Sequence, residues 1–197
     1  ILFWLIVSII SLFIGFFIGI ISCFHVATKR IYIMVRVYTF IAKGIPAYVQ
    51  ILIAYFVIPA LCGIDIPATL AAVMALSFCS SGYMVEIIRS GINAIPSGQW
   101  DAAFVLGYSM PQTVRYIILP QVIRNVLPSL IGELEQLLKS TSLFAAIGIT
   151  ELTRVGMNII SRELNPIPVY TVIALVYLFL SGLLQGVIIW TEKRRIV

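Results

Sequence analysis

The sequence contains five apolar stretches, and this feature restricts the fold more than any other. They cover about 1–24, 45–61, 66–85, 122–144 and 167–190. A helix of roughly twenty apolar residues matches the hydrocarbon thickness of a membrane. Lipid offers backbone groups no water partner, so only helices or closed barrels can span it, and the stretches lack the alternation of barrel strands. The pattern predicts an all-α, polytopic bundle of about five spans in one membrane domain.

Composition supports a membrane protein. The chain is 61% hydrophobic and 11% charged, whereas soluble domains are about 45–50% apolar and about 25% charged. Gly15 and Gly19 are four residues apart, a spacing that allows a neighbouring helix to approach the first span closely. The chain begins at Ile1 within an apolar stretch and without Met, so we expect its natural start to lie upstream.

Nothing in the sequence indicates a metal or a catalytic group. The three cysteines have no metal-ligand or redox spacing, and we expect them to act as small buried hydrophobic side chains. They are Cys23, Cys62 and Cys79. With one histidine in the chain, an intramembrane enzyme is disfavoured, because no paired His, Ser-His or paired Asp arrangement is found in the spans.

Basic residues predict the orientation, because Lys and Arg gather on the cytoplasmic side of membrane proteins. They are concentrated after the first span, between the third and fourth spans, and after the fifth. These residues are Lys29, Arg30, Arg36, Lys43, Arg89, Arg115, Arg124, Lys193, Arg194 and Arg195. The alternation predicts an outside N-terminus and a cytoplasmic C-terminus.

The connection at about 89–121 is predicted to be the one sizeable cytoplasmic projection. Ser97 can cap a short helix, and Gly107 can supply the left-handed residue that ends it. Ser109-Met110-Pro111-Gln112 has capping-box spacing with an early proline, which predicts a second short helix at once. We expect two short helices joined by a sharp bend, with Trp100 and Phe104 as exposed apolar anchors.

The predicted fourth span contains embedded charges at Glu133, Glu135 and Lys139. A charge at the bilayer centre costs roughly 2.5–3.5 kcal/mol on insertion scales, so such residues usually face a bundle interior or a water path. Glu135 and Lys139 have the spacing of an ion pair, while Glu133 lies on nearly the opposite face. Two interpretations stay open: a structural ion pair, or contact with a substrate.

Hydroxyl and charged residues beside these positions allow similar alternatives. Ser140, Thr141 and Ser142 either line a polar path or bond to carbonyls of their own helix. Glu86 and Arg89 are three residues apart, which suits a helix-surface pair. That pair either braces the cytoplasmic projection or anchors the span at the interface.

Several motifs resemble, in order and spacing, those of ATP-binding-cassette importer permeases of the polar amino-acid subfamily. The family's loop reads Glu-Ala-Ala, three residues, Gly, then Ile-x-Leu-Pro, and this chain has Asp in place of the Glu. The matching segments are Asp101-Ala102-Ala103, Gly107, Ile117-Ile118-Leu119-Pro120, Glu86–Ile92, Ile95–Gln99, Leu119-Pro120-Gln121, Lys139–Leu143 and, with two changes, Lys43-Gly44-Ile45-Pro46. The resemblance covers roughly 38–152.

The resemblance implies that the projection carries a coupling helix that docks on a separate ATPase subunit. The resemblance places Asp101, Ala102, Ala103 and Gly107 in this contact, with Gln99 and Pro120 from the flanking motifs. We add Trp100 and Phe104 because they lie on the same short helix. ATP and Mg²⁺ would be bound by that partner, because this chain has no phosphate-binding loop of its own. The chain would then be a transport subunit, not an enzyme.

The resemblance also implies the partners, the location and the transport mechanism of the chain. Its partners would be a second permease copy or homologue, an extracytoplasmic solute-binding protein and membrane lipid, with no nucleic acid. The location would be the bacterial cytoplasmic membrane, and transport would proceed by alternating access. Other functions stay open: a permease for another small solute, an ion channel, or a structural membrane scaffold.

Overall fold

The computed structural model describes the backbone of residues 1–22 and 28–196 and the side chains of residues 1–22 and 28–189. Within these ranges the chain is built from helices and has no strand. The helices are α1 (Leu2–Ile21), α2 (Lys29–Gly44), α3 (Ala47–Cys62), α4 (Ala68–Asn93), α5 (Ser97–Val105), α6 (Met110–Ile147), α7 (Leu152–Glu163) and α8 (Pro166–Ile196).

The helices confirm the predicted all-α bundle. In the described part of the chain, α1, α4, α6 and α8 are each long and apolar enough to cross a membrane. Helices α2 and α3 meet at a bend of 94° and together make a fifth candidate span. The count therefore agrees with about five spans, and the orientation of the termini stays a prediction.

Helix α2 was not expected, because its basic residues placed it in a connection. Thr28 starts the helix by accepting a hydrogen bond from the Ile31 N–H at 3.4 Å. The bend into α3 is held by buried Gln50, whose Nε2 donates to the carbonyls of Ala42 and Ile45 at 2.8 and 2.7 Å. One side chain thus satisfies backbone groups that the bend would leave unbonded.

Helix α4 lies at the centre of the bundle and packs against α1, α2, α3 and α6. A Cβ at Gly15 would lie 2.3 Å from the Cβ of Met84, and one at Gly19 would lie 2.9 Å from the Cβ of Ile88. The step from Gly15 to Gly19 on α1 matches the step from Met84 to Ile88 on α4. The two helices therefore run in the same direction. The predicted close approach at these glycines is confirmed.

Helix α6 is longer than the predicted fourth span. The expected second short helix is its first turn, and the helix continues without a break to Ile147. A π-helical turn at Val114–Ile118 makes this continuity possible, with the Leu119 N–H bonded to the Val114 carbonyl. Pro120 lacks an N–H and would crowd the preceding turn of a regular helix. The wider turn relieves that conflict.

The same arrangement occurs in α3, where a π-helical turn at Ile53–Val57 is followed by Pro59. Helix α7, also not predicted, is capped by both carboxylate oxygens of Glu151, which accept from the N–H groups of Thr153 and Arg154. Of the cysteines, Cys79 is buried as expected. Cys62 is exposed, which corrects the expectation, because it lies at the end of α3 beyond the packed helices. Cys23 lies outside the described residues.

Candidate functional site: a polar cavity and an exposed apolar tip

A cavity of about 330 Å³ opens between the α2–α3 bend, α4 and α6. Its wall combines apolar side chains with charged and hydroxyl groups. The lining residues are Lys43, Ile45, Pro46, Ala47, Leu76, Cys79, Ser80, Tyr83, Glu133, Gln136, Leu137 and Ser140. Three helices that are distant in sequence thus contribute polar groups to one space.

Glu133 and Lys43 place opposite charges on the cavity wall. Glu133 Oε1 accepts a hydrogen bond from Ser80 Oγ on α4 at 3.0 Å. Lys43 is in ion-pair contact with Glu86 on α4, and its Nζ lies 5.5 Å from the ring centroid of Tyr83. Both charged groups are therefore held in place while they border the open space.

Glu135 lies on the other side of α6, as its two-residue spacing from Glu133 predicts. Lys139 Nζ is 2.6 Å from Glu135 Oε1, which confirms the predicted ion pair. Gln185 on α8 donates to the other carboxylate oxygen. Glu135 is 7% exposed, and both of its oxygens bond within the protein. Its observed contacts are those of a structural residue between α6 and α8.

The three hydroxyl residues after Lys139 bond to carbonyls of their own helix. Ser140 donates to Gln136, Thr141 to Leu138 and Ser142 to Lys139, at 2.9, 2.7 and 2.7 Å. These bonds satisfy carbonyls near the end of the helix, where α6 tightens into a 3₁₀ turn at Thr141–Ile147. Ser140 also lines the cavity.

The predicted pair of Glu86 with Arg89 is wrong. Among the described residues, Glu86 is paired with Lys43, and the Arg89 guanidinium lies 5.7 Å from the ring centroid of Tyr32. The reason is that α2 packs against α4 at this level. A neighbouring helix offered each side chain a partner that the sequence of α4 alone did not reveal.

The short helix α5 ends in an exposed apolar tip, formed by Phe104, Val105 and Leu106. Their side chains are 82%, 83% and 73% exposed. Gly107 has φ +79°, and the bonds from its N–H to Phe104 and from the Tyr108 N–H to Ala103 complete a Schellman motif. The predicted left-handed stop at Gly107 is confirmed, and it turns the chain sharply into α6.

The remaining residues of the predicted coupling contact divide between two faces of α5. Gln99, Asp101 and Ala102 are exposed. Ala103 is buried, and Trp100 packs against the cluster that includes Ile118. Trp100 is therefore directed toward its own bundle.

Helices α5 and α6 begin differently, and only α6 has the predicted side-chain cap. The predicted cap by Ser97 is wrong, because the helix starts after Pro96, whose carbonyl accepts from the Gln99 N–H at 3.0 Å. The predicted capping box is present, with the Ser109 N–H donating to Gln112 Oε1 at 2.9 Å. Pro120 lies within α6, directly after the π-helical turn at Val114–Ile118.

Sequence reasoning missed Lys43, Ser80, Tyr83 and Gln136 as cavity residues. Ser77, Ser80 and Ser81 interrupt the apolar pattern of α4, and this run of hydroxyl groups was the available signal. Within the described residues, no group of three or more His, Cys, Asp or Glu side chains is arranged to hold a metal ion.

Comparison with known proteins gives consistent matches along nearly the whole chain. The family described as "Binding-protein-dependent transport system inner membrane component" matches residues 11–196. The arginine transport system permease protein ArtQ of Bacillus subtilis is 37% identical over 75% of this chain and 68% of its own length. The glutamine transport system permease protein GlnP of Escherichia coli is 34% identical over 78% of this chain and 71% of its own.

Solved structures agree with this assignment. A crystal structure of an amino acid ABC transporter with histidines has a TM-score of 0.88 and 33% identity, covering 98% of this chain and 88% of that one. An inward-facing MetNI methionine ABC transporter shares the fold, with a TM-score of 0.76, 19% identity and coverage of 98% and 92%. The chain belongs to the family of binding-protein-dependent transport system inner membrane components.

Proposed function

We propose that this chain is the permease subunit of an ATP-driven importer for a polar amino acid. The family membership supports the permease role. The names of the relatives support the cargo class, since those cited are an arginine and a glutamine permease. The observation that carries the proposal is the cavity between α2, α3, α4 and α6, which both Glu133 and Lys43 line.

The charged and hydroxyl side chains of the cavity are suited to binding an amino acid. A zwitterion carries an ammonium and a carboxylate, and a site that binds it needs an anionic group and a cationic or hydroxyl group a few ångströms apart. Glu133 supplies the first. The hydroxyl residues of the lining supply the second, together with Lys43, which borders the cavity while paired with Glu86. We place the cargo beside Glu133 and not beside Glu135, because Lys139 and Gln185 already occupy both oxygens of Glu135.

The exposed tip of α5 is the proposed contact with the ATPase subunit, which would bind ATP and Mg²⁺. Large apolar side chains outside the spans are typical of a protein interface. In our proposal Phe104, Val105 and Leu106 enter a groove of the partner, with Gln99, Asp101 and Ala102 beside them. Trp100 and Ala103 hold the opposite face of α5 against the bundle. Gly107 and Pro120 transmit the movement of α5 into α6.

The proposed assembly includes further components. A second permease copy or homologue would cover apolar surface of α8, little of which is buried within this chain. A solute-binding protein would contact the opposite side of the membrane, and the complex would lie in a bacterial cytoplasmic membrane. Closure of the ATPases would switch the permease pair between inward- and outward-facing states as rigid bodies.

Purification of the chain with its neighbours tests this proposal. Mass spectrometry should find an ATPase and a permease in the complex, and a polar amino acid should stimulate ATP hydrolysis after reconstitution with the binding protein. Stimulation by a different small solute would preserve the permease role and replace the cargo. Flux without ATP would indicate a channel, and no flux a structural scaffold; either would overturn the proposal.

A further inference from the structure

Helix α2 presents three different faces. Val35, Thr39 and Ala42 are buried, and the last two lie beside Gly82 of α4. A second face is exposed and mainly apolar, with Arg30 in its first turn followed by Ile33, Met34, Val37, Phe40 and Ile41. A basic ridge runs between them and consists of Lys29, Arg36 and Lys43. These residues align because a seven-residue spacing is close to two helical turns.

The bend after α2 determines how this helix lies in the membrane. Since α2 and α3 differ in direction by 94°, both cannot run along the membrane normal. Helix α3 has no charged residue, whereas α2 contains four basic residues and no acidic one. Within this bent candidate span, the composition favours α3 as the part that crosses the lipid and α2 as the part that lies along its surface. A helix with an apolar face and a basic ridge is suited to that position, with the apolar face in the acyl chains.

Two arginines, one on α2 and one on α4, lie beside the same aromatic ring. The guanidinium carbons of Arg36 and Arg89 lie 5.8 and 5.7 Å from the ring centroid of the same residue, Tyr32. Among the described residues no carboxylate is within ion-pair distance of either arginine, since Glu86 is paired with Lys43. Two guanidinium groups beside one ring, with no carboxylate at ion-pair distance, are suited to an anion with several oxygens. Glu86 lines the same small cavity as Arg36, but its carboxylate is paired with Lys43.

We propose that Arg36 and Arg89, with Lys29 along the same ridge, bind the headgroup of an anionic phospholipid. The phosphate accepts from the two guanidinium groups, and the acyl chains lie along Val37 and Phe40. A lipid is favoured over a protein because the basic ridge continues directly into the exposed apolar face, and both parts match one lipid molecule. The lipid would hold α2 at the surface and thereby fix the bend that borders the cavity.

Lipid retention in the intact transporter complex tests this inference. The complex is placed in nanodiscs of phosphatidylcholine and phosphatidylglycerol, and native mass spectrometry counts the lipids retained after mild detergent extraction. Each basic residue near a membrane surface changes affinity for anionic lipid about fivefold. The double variant Arg36→Gln, Arg89→Gln should therefore lose the preference for phosphatidylglycerol by roughly 25-fold.

Two further variants show whether lipid retention depends on Arg36 and Arg89 in particular. Arg162→Gln, at an exposed position of α7, removes one charge elsewhere and should leave lipid retention unchanged. Arg36→Lys, Arg89→Lys keeps the charge and loses the forked hydrogen bonds, so an intermediate loss is expected; it also carries the test if the glutamine variant fails to insert. Unchanged phosphatidylglycerol retention in both double variants would overturn the proposal. Release of the ATPase subunit with unchanged lipid retention would also overturn it, because α2 would then contact a protein.

Discussion

The cavity beside Glu133 and the tip of α5 depart in opposite ways from the usual distribution of side chains. At the cavity, charged and hydroxyl groups lie inside an apolar bundle; at the tip, Phe104, Val105 and Leu106 are exposed outside the spans. Buried polar groups and exposed apolar patches are the informative exceptions in protein structures. The difference indicates two kinds of partner: a small polar molecule at the cavity and a protein at the tip.

A single helix connects the cavity with the tip of α5. Helix α6 begins beside the tip and carries Glu133 on the cavity wall, so one continuous helix reaches both. The π-helical turn at Val114–Ile118 and the left-handed Gly107 lie between them. Movement of the tip is therefore expected to reach the cavity through α6.

The largest effect is expected when the tip loses its apolar side chains. Phe104→Ser with Leu106→Ser should reduce retention of the ATPase subunit by on the order of 1,000-fold, since central apolar anchors each contribute about 2 kcal/mol or more to binding. Co-purification and the ATPase dissociation constant measure this. Leu61→Ser, at a similarly exposed position at the end of α3, is the matched control. Equal retention by the tip variant would show that the patch does not bind the ATPase.

A change at Gly107 should separate ATP hydrolysis from uptake. The left-handed conformation costs a β-branched residue about 1–2 kcal/mol or more, so Gly107→Val alters the turn that connects the tip to α6. We expect at least tenfold slower uptake, with normal amounts of the protein in the membrane and continued ATP hydrolysis. Gly107→Asn, which tolerates this backbone conformation, should retain most of the uptake. Normal transport by the valine variant would contradict coupling through this turn.

Removing the charge at the cavity should alter transport without unfolding the bundle. Glu133→Gln keeps an oxygen that accepts from Ser80 and loses the negative charge that would meet the cargo ammonium. We expect roughly a tenfold change in uptake, which corresponds to about 1.4 kcal/mol. The measurement is the kinetics of labelled arginine, glutamine and histidine. Unchanged kinetics for all three would exclude a direct contact between Glu133 and the cargo.

The matched change at Glu135 should affect stability more than transport. Glu135→Gln breaks the ion pair with Lys139 and weakens the bond from Gln185, at a cost of about 1–2 kcal/mol. The apparent Tm in detergent should fall by roughly 2–8 °C, while uptake at low temperature changes less than in Glu133→Gln. If the two glutamine variants behaved alike in both measurements, the assignment of the two carboxylates to different roles would be wrong.

The sequence predicted those parts of the structure that depend on local chemistry. Apolar length predicted the spans, Gly107 predicted the stop of α5, and the i,i+4 spacing predicted the pair of Glu135 with Lys139. Gly15 and Gly19 predicted a close helix contact without revealing that α4 is the neighbour. Each of these depends on residues that are near one another in the chain.

What the sequence did not predict depends on packing between distant segments. Lys43 and Glu86 are far apart in sequence, so their pairing required the position of α2 against α4. Trp100 was expected to be an apolar anchor of the projection, yet it packs against the cluster that contains Ile118 of α6. Helix α2 was missed because its basic residues resemble those of a loop. The continuous α6 was missed because the apolar stretch begins only after Pro120, and the π-helical turn before that proline keeps the helix unbroken.

Amino-acid uptake into proteoliposomes that contain the complete complex tests the central claim most directly. With the binding protein outside and ATP inside, the parent complex should accumulate a labelled polar amino acid, and the rate should fall in Glu133→Gln and in the tip variant for different reasons. The cavity variant should keep its bound ATPase, and the tip variant should lose it. Accumulation that needs no ATP, or that is unaffected by both changes, would contradict a permease with its cargo at the cavity and its ATPase at the tip.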